Sequence, residues 1–423
     1  MLRQDRRAWL IVLALFAIGA LIFGGTISTP GVFFAPLIKE FGWSHARVSS
    51  LASAVTLGAI PGSIAAGFLL ERIDARIPIV SGAALTAGSL LFATKANLYF
   101  ALLGCYFFAG MGVGLATLLP MSLVVANWFR EKRGRAMGVA IAGVSVGGMI
   151  MVQVAATAIR TKGWRAGYAA LAAPILLIAI PLAVFIVRTR PPGESDQGSP
   201  MDPAAGAQSK SVKAEGFSLV EAIRTRSFWL IAAATFLFAF TVYGILTQLV
   251  VYLIGEGYQP ATAAIVLGLM LGLNGGGKVL FGVLADRIGA RMAIMISFAI
   301  IACGIPLLFG SREVLVLASF LAVYGPAWGA PLALIPLVTI ESLGLKHYAS
   351  LGGILRIAEA TGAVLGPVVL GGIFDLTNSY RPAFALGMVC AVVAMLATRG
   401  CEKFGLAAAI GGEIVAAPEA VRT

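Results

Sequence analysis

Twelve apolar stretches follow one another along this chain of 423 residues, each long enough to cross about 30 Å of hydrocarbon as a helix. They cover 8–34, 46–70, 77–94, 98–128, 134–159, 164–187, 228–255, 261–285, 292–309, 314–340, 348–374 and 382–398. Backbone in lipid must satisfy its own hydrogen bonds, so each stretch is predicted to be a helix. The alternating pattern of barrel strands is missing. Only 12% of the residues are charged, against about 25% in water-soluble domains, so a membrane is the solvent that fits. The first stretch runs too far, without a clear small-residue cleavage site, to read as a signal peptide, and is expected to be a retained span.

Between the sixth and seventh stretches the sequence changes character. Thr189 to Gly216 is rich in Pro, Gly, Ser and charge and reads as a flexible linker. The predicted organisation is a six-helix bundle over 1–188, a linker over 189–225, a second six-helix bundle over 226–400 and a tail over 401–423. The net charge is +12, but the basic residues lie in loops between apolar runs. That distribution orients a membrane protein and does not describe a nucleic-acid face. Placing the cation-rich loops in the cytoplasm puts both termini inside, with the plasma membrane (the inner membrane in a bacterium) as the expected location. Cys105, Cys303, Cys390 and Cys401 form no close pair, so neither a disulfide framework nor a metal site is implied. The sequence offers no phosphate-binding loop, metal cluster or nucleophile–base pair, so no enzyme activity and no cofactor are expected.

The two halves repeat each other. The loop after the second stretch reads Gly67-Phe-Leu-Leu-Glu71-Arg72-Ile-Asp74-Ala-Arg76, and the loop after the eighth reads Gly282-Val-Leu-Ala-Asp286-Arg287-Ile-Gly289-Ala-Arg291. The two lie 215 residues apart, counted from Gly67 to Gly282. Internal repeats are typical of transporters whose substrate site lies between two rocking halves. An acid after the last turn of one helix can accept hydrogen bonds from the N-terminus of another, and the arginines can meet helix ends and lipid phosphates. Both loops are therefore read as gating loops. This G-x-x-x-[DE]-R-x-x-x-R pattern, present in both halves of a twelve-span chain, resembles the major facilitator superfamily. The first loop departs from the usual pattern, with Glu71 in place of Asp and Asp74 in place of Gly. The resemblance implies an all-α membrane fold, twelve transmembrane helices in two pseudo-symmetric six-helix bundles.

Three further segments resemble a subgroup, the monocarboxylate transporters and oxalate/formate antiporter-like proteins. These are Gly31 to Ser44, Asn127 to Gly143, and Thr225-Arg226-Ser-Phe228-Trp229. Gly362-x-x-x-Gly366-Pro367-x-x-x-Gly371-Gly372 is shared by several transporter groups; its glycines permit close helix approach and its proline bends the helix. The resemblance implies secondary transport of a small organic carboxylate, a monocarboxylate before others, with a proton and by a monomer among membrane lipids. Exchange of oxalate/formate type, or export of a bulkier amphipathic compound, is the alternative.

Ionisable groups inside the bilayer cost about 2.5–3.5 kcal/mol or more and so read as functional. Away from span ends there are three: Lys278, Arg356 and Glu359. Counted from the span ends, all three are expected near mid-depth. In the resembled subgroup a cation of the eighth span binds the substrate carboxylate, and Lys278 stands in that place where Arg is usual. Lys is a point charge and not a planar fork. Oxalate exchangers carry a cation in the eleventh span, where Glu359 stands here and Arg356 lies one turn earlier. The expectation is that Arg356 and Glu359 pair, that Lys278 also reaches Glu359, and that an incoming carboxylate competes for the cations. Glu359, released in a low-dielectric cavity, would then take a proton. The opposing reading is a permanent Lys–Glu–Arg lock. Asn274, one turn from Lys278, with Tyr243, Tyr324 and Trp328, completes the expected substrate-binding set. Because the buried charge is all in the second half, the first is expected to contribute shape and apolar contact.

Overall fold

The computed structural model describes residues 2–129, 131–189 and 216–402. Most of the expected linker (190–215) and of the tail (403–423) lies outside them. Among the described residues twelve helical spans are long and apolar enough to cross a membrane: Arg6–Phe41, Ser50–Leu70, Arg76–Ala93, Tyr99–Trp128, Arg133–Lys162, Trp164–Phe185, Arg226–Gly255, Ile265–Ile288, Ala290–Gly310, Val314–Leu343, Tyr348–Thr377 and Tyr380–Arg399. We number them one to twelve. Twelve crossings leave both chain ends on one face, here called the near face; the opposite face is the far face.

The 215-residue repeat governs the elements as well as the loops. The helices that carry spans two and eight begin at His45 and Pro260, spans four and ten at Tyr99 and Val314, and spans five and eleven at Arg133 and Tyr348. Each pair differs by 215. Within the first half, span two packs on span four and span three on span four; in the second, span eight packs on span ten and span seven on span eleven. The halves meet along two seams, span five against span eight and span two against span eleven.

Span one is interrupted. An α-helix to Gly19 widens into a π-turn over Ala20–Gly24, and the chain bends at Ser28 before Pro30–Phe41 resumes the helix. Pro30 has no N–H to give the preceding turn. The backbone there is bent and not unwound, and the Thr29 hydroxyl donates to the Gly25 carbonyl at 2.7 Å. The end of the linker is ordered by its own sequence. Ser218 accepts from the Glu221 N–H and the Glu221 carboxylate accepts from the Ser218 N–H at 2.8 Å, a capping box that starts the short helix Leu219–Arg224. That backbone hydrogen bond holds the Glu221 carboxyl below the usual carboxylate range. Just before it, Gly216 pairs with Gly344 at the end of span ten.

Candidate functional site

At the five–eight seam two backbones touch. A Cβ on Gly134 or Gly138 would fall on the carbonyl oxygen of Gly282 or Lys278 respectively, so only glycine fits. Helix side chains lean toward their own N-terminus. For span eight that end is at the far face, so the Lys278 side chain runs inward from the Gly138 level. It is 2% exposed, and its ammonium donates to the Ser145 hydroxyl at 2.7 Å. Ser145 in turn donates to Asn274 Oδ1 at 2.8 Å. Asn274, itself buried, is one turn farther along the face of span eight that carries Lys278.

The expected bond from Lys278 to Glu359 is not made. Arg356 and Glu359 instead pair with each other, guanidinium to carboxylate, one turn apart on span eleven. Tyr243 of span seven lies near enough to this pair to feel both charges. Arg356 and Glu359 border a cavity of about 50 Å³ shared with Leu119 and Ser122 of span four, Thr235 of span seven and Pro336 and Thr339 of span ten. That volume holds a few waters; a larger solute requires the halves to move apart. Thus the three charges form two groups, a buried cation on a hydroxyl at the five–eight seam and a neutral, partly buried pair at the cavity. Among the described residues Lys278 faces no carboxylate. A Lys–Glu–Arg lock is absent from this conformation for the same reason.

Neither Tyr324 nor Trp328 borders the cavity of about 50 Å³. Tyr324 is fully buried, stacks on Phe320 and packs against Gly304 of span nine, so it points into the second half. Trp328, one turn away, is 8% exposed. Its indole N–H, like the Tyr324 hydroxyl, has no partner among the described residues. Ser145 is the residue that sequence reasoning missed. It is an ordinary small side chain in an apolar span, and only the helix crossing puts it on Lys278.

In the two repeated loops the acids and the arginines make different kinds of contact. Asp286 accepts from the N–H groups of Gly134 at 2.6 Å and Arg135 at 3.0 Å, the first turn of span five. Glu71 meets Nδ1 of His347 at 3.2 Å, at the start of span eleven. His347 and Lys132, the residues flanking those two helix starts, are again 215 apart. The acids therefore cross between halves. The arginines stay at home: Arg76 donates to the Val187 carbonyl at 2.5 Å and Arg291 to the carbonyl of Arg399, while Arg72 and Arg287 are exposed. These contacts between the halves lie on the near side or at the Ser145 level. The protein is thus clasped on the near face.

Comparison with known proteins agrees with this architecture. The sequence profile of the Major Facilitator Superfamily matches residues 16–367. The chain is 26% identical over 382 residues to the oxalate:formate antiporter of Oxalobacter formigenes, covering 88% of this chain and 86% of that protein. It is 27% identical over 407 residues to monocarboxylate transporter 3 of Rattus norvegicus, covering 93% and 80%. Among solved structures it matches FucP, a transporter captured in the outward conformation, with a TM-score of 0.72 at 16% identity, covering 92% and 99%. The human organic anion transporter MFSD10 matches with a TM-score of 0.70 at 14% identity, covering 93% and 99%.

Proposed function

The chain belongs to the major facilitator superfamily, and from that premise we propose that this transporter moves a small organic anion, a monocarboxylate first, together with a proton by alternating access. The observation that carries the reading is the Lys278 ammonium, buried to 2% exposure with only a neutral hydroxyl against it. A buried cation held only by a neutral hydroxyl is suited to an anionic ligand. Its charge count favours a monoanion. Arg356 is already neutralised by Glu359, so one positive charge is available, whereas a dicarboxylate calls for two. The names of two relatives, an oxalate:formate antiporter and a monocarboxylate transporter, bracket the same choice.

The proton follows from the second group. When substrate binding at Lys278 loosens the Arg356–Glu359 pair, Glu359 is left in a low-dielectric cavity and binds a proton. Anion and proton then cross together as a neutral load. Access alternates by release of the near-face contacts of Asp286 and Glu71 while the far side closes. On the distribution of cations, the near face is the cytoplasmic one and the membrane the plasma membrane.

Uptake of labelled formate, acetate, lactate and oxalate into proteoliposomes, with and without an imposed proton gradient, tests this. The expected result is monocarboxylate uptake stimulated by an inward gradient, abolished by Lys278→Ala and uncoupled from the gradient by Glu359→Gln. If both variants accumulate substrate as the wild type does at equal incorporation, the scheme is wrong. Uptake that requires a trans-loaded anion and ignores the gradient would assign exchange instead.

A further inference from the structure

We propose that Ser145, supplied by the first half, is a positioning residue of the anion site: it holds the Lys278 ammonium at the seam between the halves with two of its hydrogens free for one carboxylate. The inference rests on the reading of Lys278 as the anion's cation, and it changes what the first half contributes.

The hydrogen bonds have only one sense. An ammonium has three donors and no acceptor, so Lys278 donates and Ser145 accepts, at 2.7 Å. The amide Oδ1 of Asn274 only accepts, so the Ser145 hydrogen goes there, at 2.8 Å. Lys278 to Ser145 to Asn274 therefore leaves span eight, touches span five and returns to span eight. The hydroxyl is used in both directions and cannot rotate away without breaking a buried bond. One ammonium hydrogen is fixed toward span five, and the other two are left for a ligand. Two hydrogens on one nitrogen suit the two oxygens of a single carboxylate.

Without the hydroxyl the arrangement collapses into span eight. Asn274 and Lys278 are one turn apart on one face, so the amide oxygen becomes the ammonium's own acceptor and the cation turns away from the seam. The anion then meets a cation that is misdirected and engaged within its own helix.

The repeat shows that this chain of bonds is no requirement of the crossing itself. At the other seam, a Cβ on Gly67 would meet the Ala349 carbonyl oxygen at 2.7 Å, and one on Gly353 would meet that of Ser63 at 3.3 Å. These are the equivalents of Gly282 on Gly134 and Gly138 on Lys278, each shifted by 215. There the partners of Lys278 and Ser145 are Ser63 and Ala360. The corresponding crossing, looser there, forms with no ammonium and no hydroxyl bridge, so the bridge is not required for the helices to cross.

The test uses the purified full-length protein in detergent, with formate, acetate, lactate and oxalate as probes in titration calorimetry, and proteoliposome uptake for turnover. Ser145→Ala is expected to weaken monocarboxylate binding about tenfold and to raise KM by the same factor, with kcat within about twofold. Ser145→Thr, which keeps the oxygen, is expected to restore binding. Ser145→Cys, a poor acceptor of similar volume, is expected to behave as Ala does and serves if the Ala variant misfolds. In a Lys278→Ala background, Ser145→Ala is expected to change nothing more. Wild-type affinity in both Ser145→Ala and Ser145→Cys overturns the proposal, and so does an equal loss with and without Lys278. If the wild type binds none of the four anions, the carboxylate reading itself fails and takes this inference with it.

Discussion

The two cations inside spans eight and eleven are chemically unlike. Lys278 rests on a hydroxyl; Arg356 is cancelled by Glu359 on its own helix. Removing one member of a buried ion pair strands the other charge, which is costlier than losing the pair. Arg356→Gln therefore leaves Glu359 without its cation, and substrate binding can no longer make or break that pair. The expected outcome is counterflow exchange within about threefold of wild type with no accumulation in response to a proton gradient. Both are read from one liposome preparation by comparing uptake under a gradient with exchange of preloaded labelled anion. Retained accumulation would mean that Glu359 does not carry the proton. All three charges and the Arg356–Glu359 pair are legible in the sequence, because pairing at i,i+3 is local. The bond from Lys278 to Ser145 joins residues 133 positions apart, and no local spacing encodes it.

At the scale of elements, glycines set how closely helices approach. A Cβ on Gly362 or Gly366 of span eleven would fall on the Phe236 or Phe240 carbonyl oxygen of span seven, the close contact that the glycine spacing suggested. The five–eight seam is built in the same way at Gly134, Gly138 and Gly282. Forcing bulk into a packed contact costs roughly 1–3 kcal/mol, and more where backbone cannot yield. Gly138→Leu is expected to lower the melting temperature in detergent by several degrees or to abolish folding. Gly104→Leu, at a position with nothing within 4 Å, is expected to melt with the wild type. Equal melting of the two would remove the backbone contact as the basis of the seam. The spans, the repeat and the loop acids that cross between the halves were legible because each has a period or a local motif. The facing of Tyr324 toward span nine was not. A tyrosine in an apolar helix gives no sign of which neighbour it meets, and that is decided by the rotation of span ten against spans eight and nine.

At the scale of the whole molecule, the near face is closed by two latches that the repeat makes equivalent in place and the sequence makes different in kind. Asp286 binds two backbone N–H groups that cannot be mutated away or titrated. Glu71 binds a single histidine nitrogen, with both side chains about a quarter exposed. Hydrogen bonds from a carboxylate to helix N-terminal N–H groups are strengthened by charge and by the helix dipole, whereas an exposed pair is worth little. The five–eight latch should therefore dominate the closed state. The measurement is labelling from the near side, by a membrane-impermeant thiol reagent, of Thr339→Cys in a background with the four native cysteines replaced. Thr339 borders the cavity beneath the latches, so its reactivity reports near-side opening. Asp286→Asn keeps one oxygen acceptor but loses the charge, and is expected to raise the labelling rate about tenfold. His347→Ala is expected to raise it less than about threefold, and the double variant to exceed either one. A larger effect from His347→Ala than from Asp286→Asn would reverse the ranking and make the two–eleven seam the principal gate.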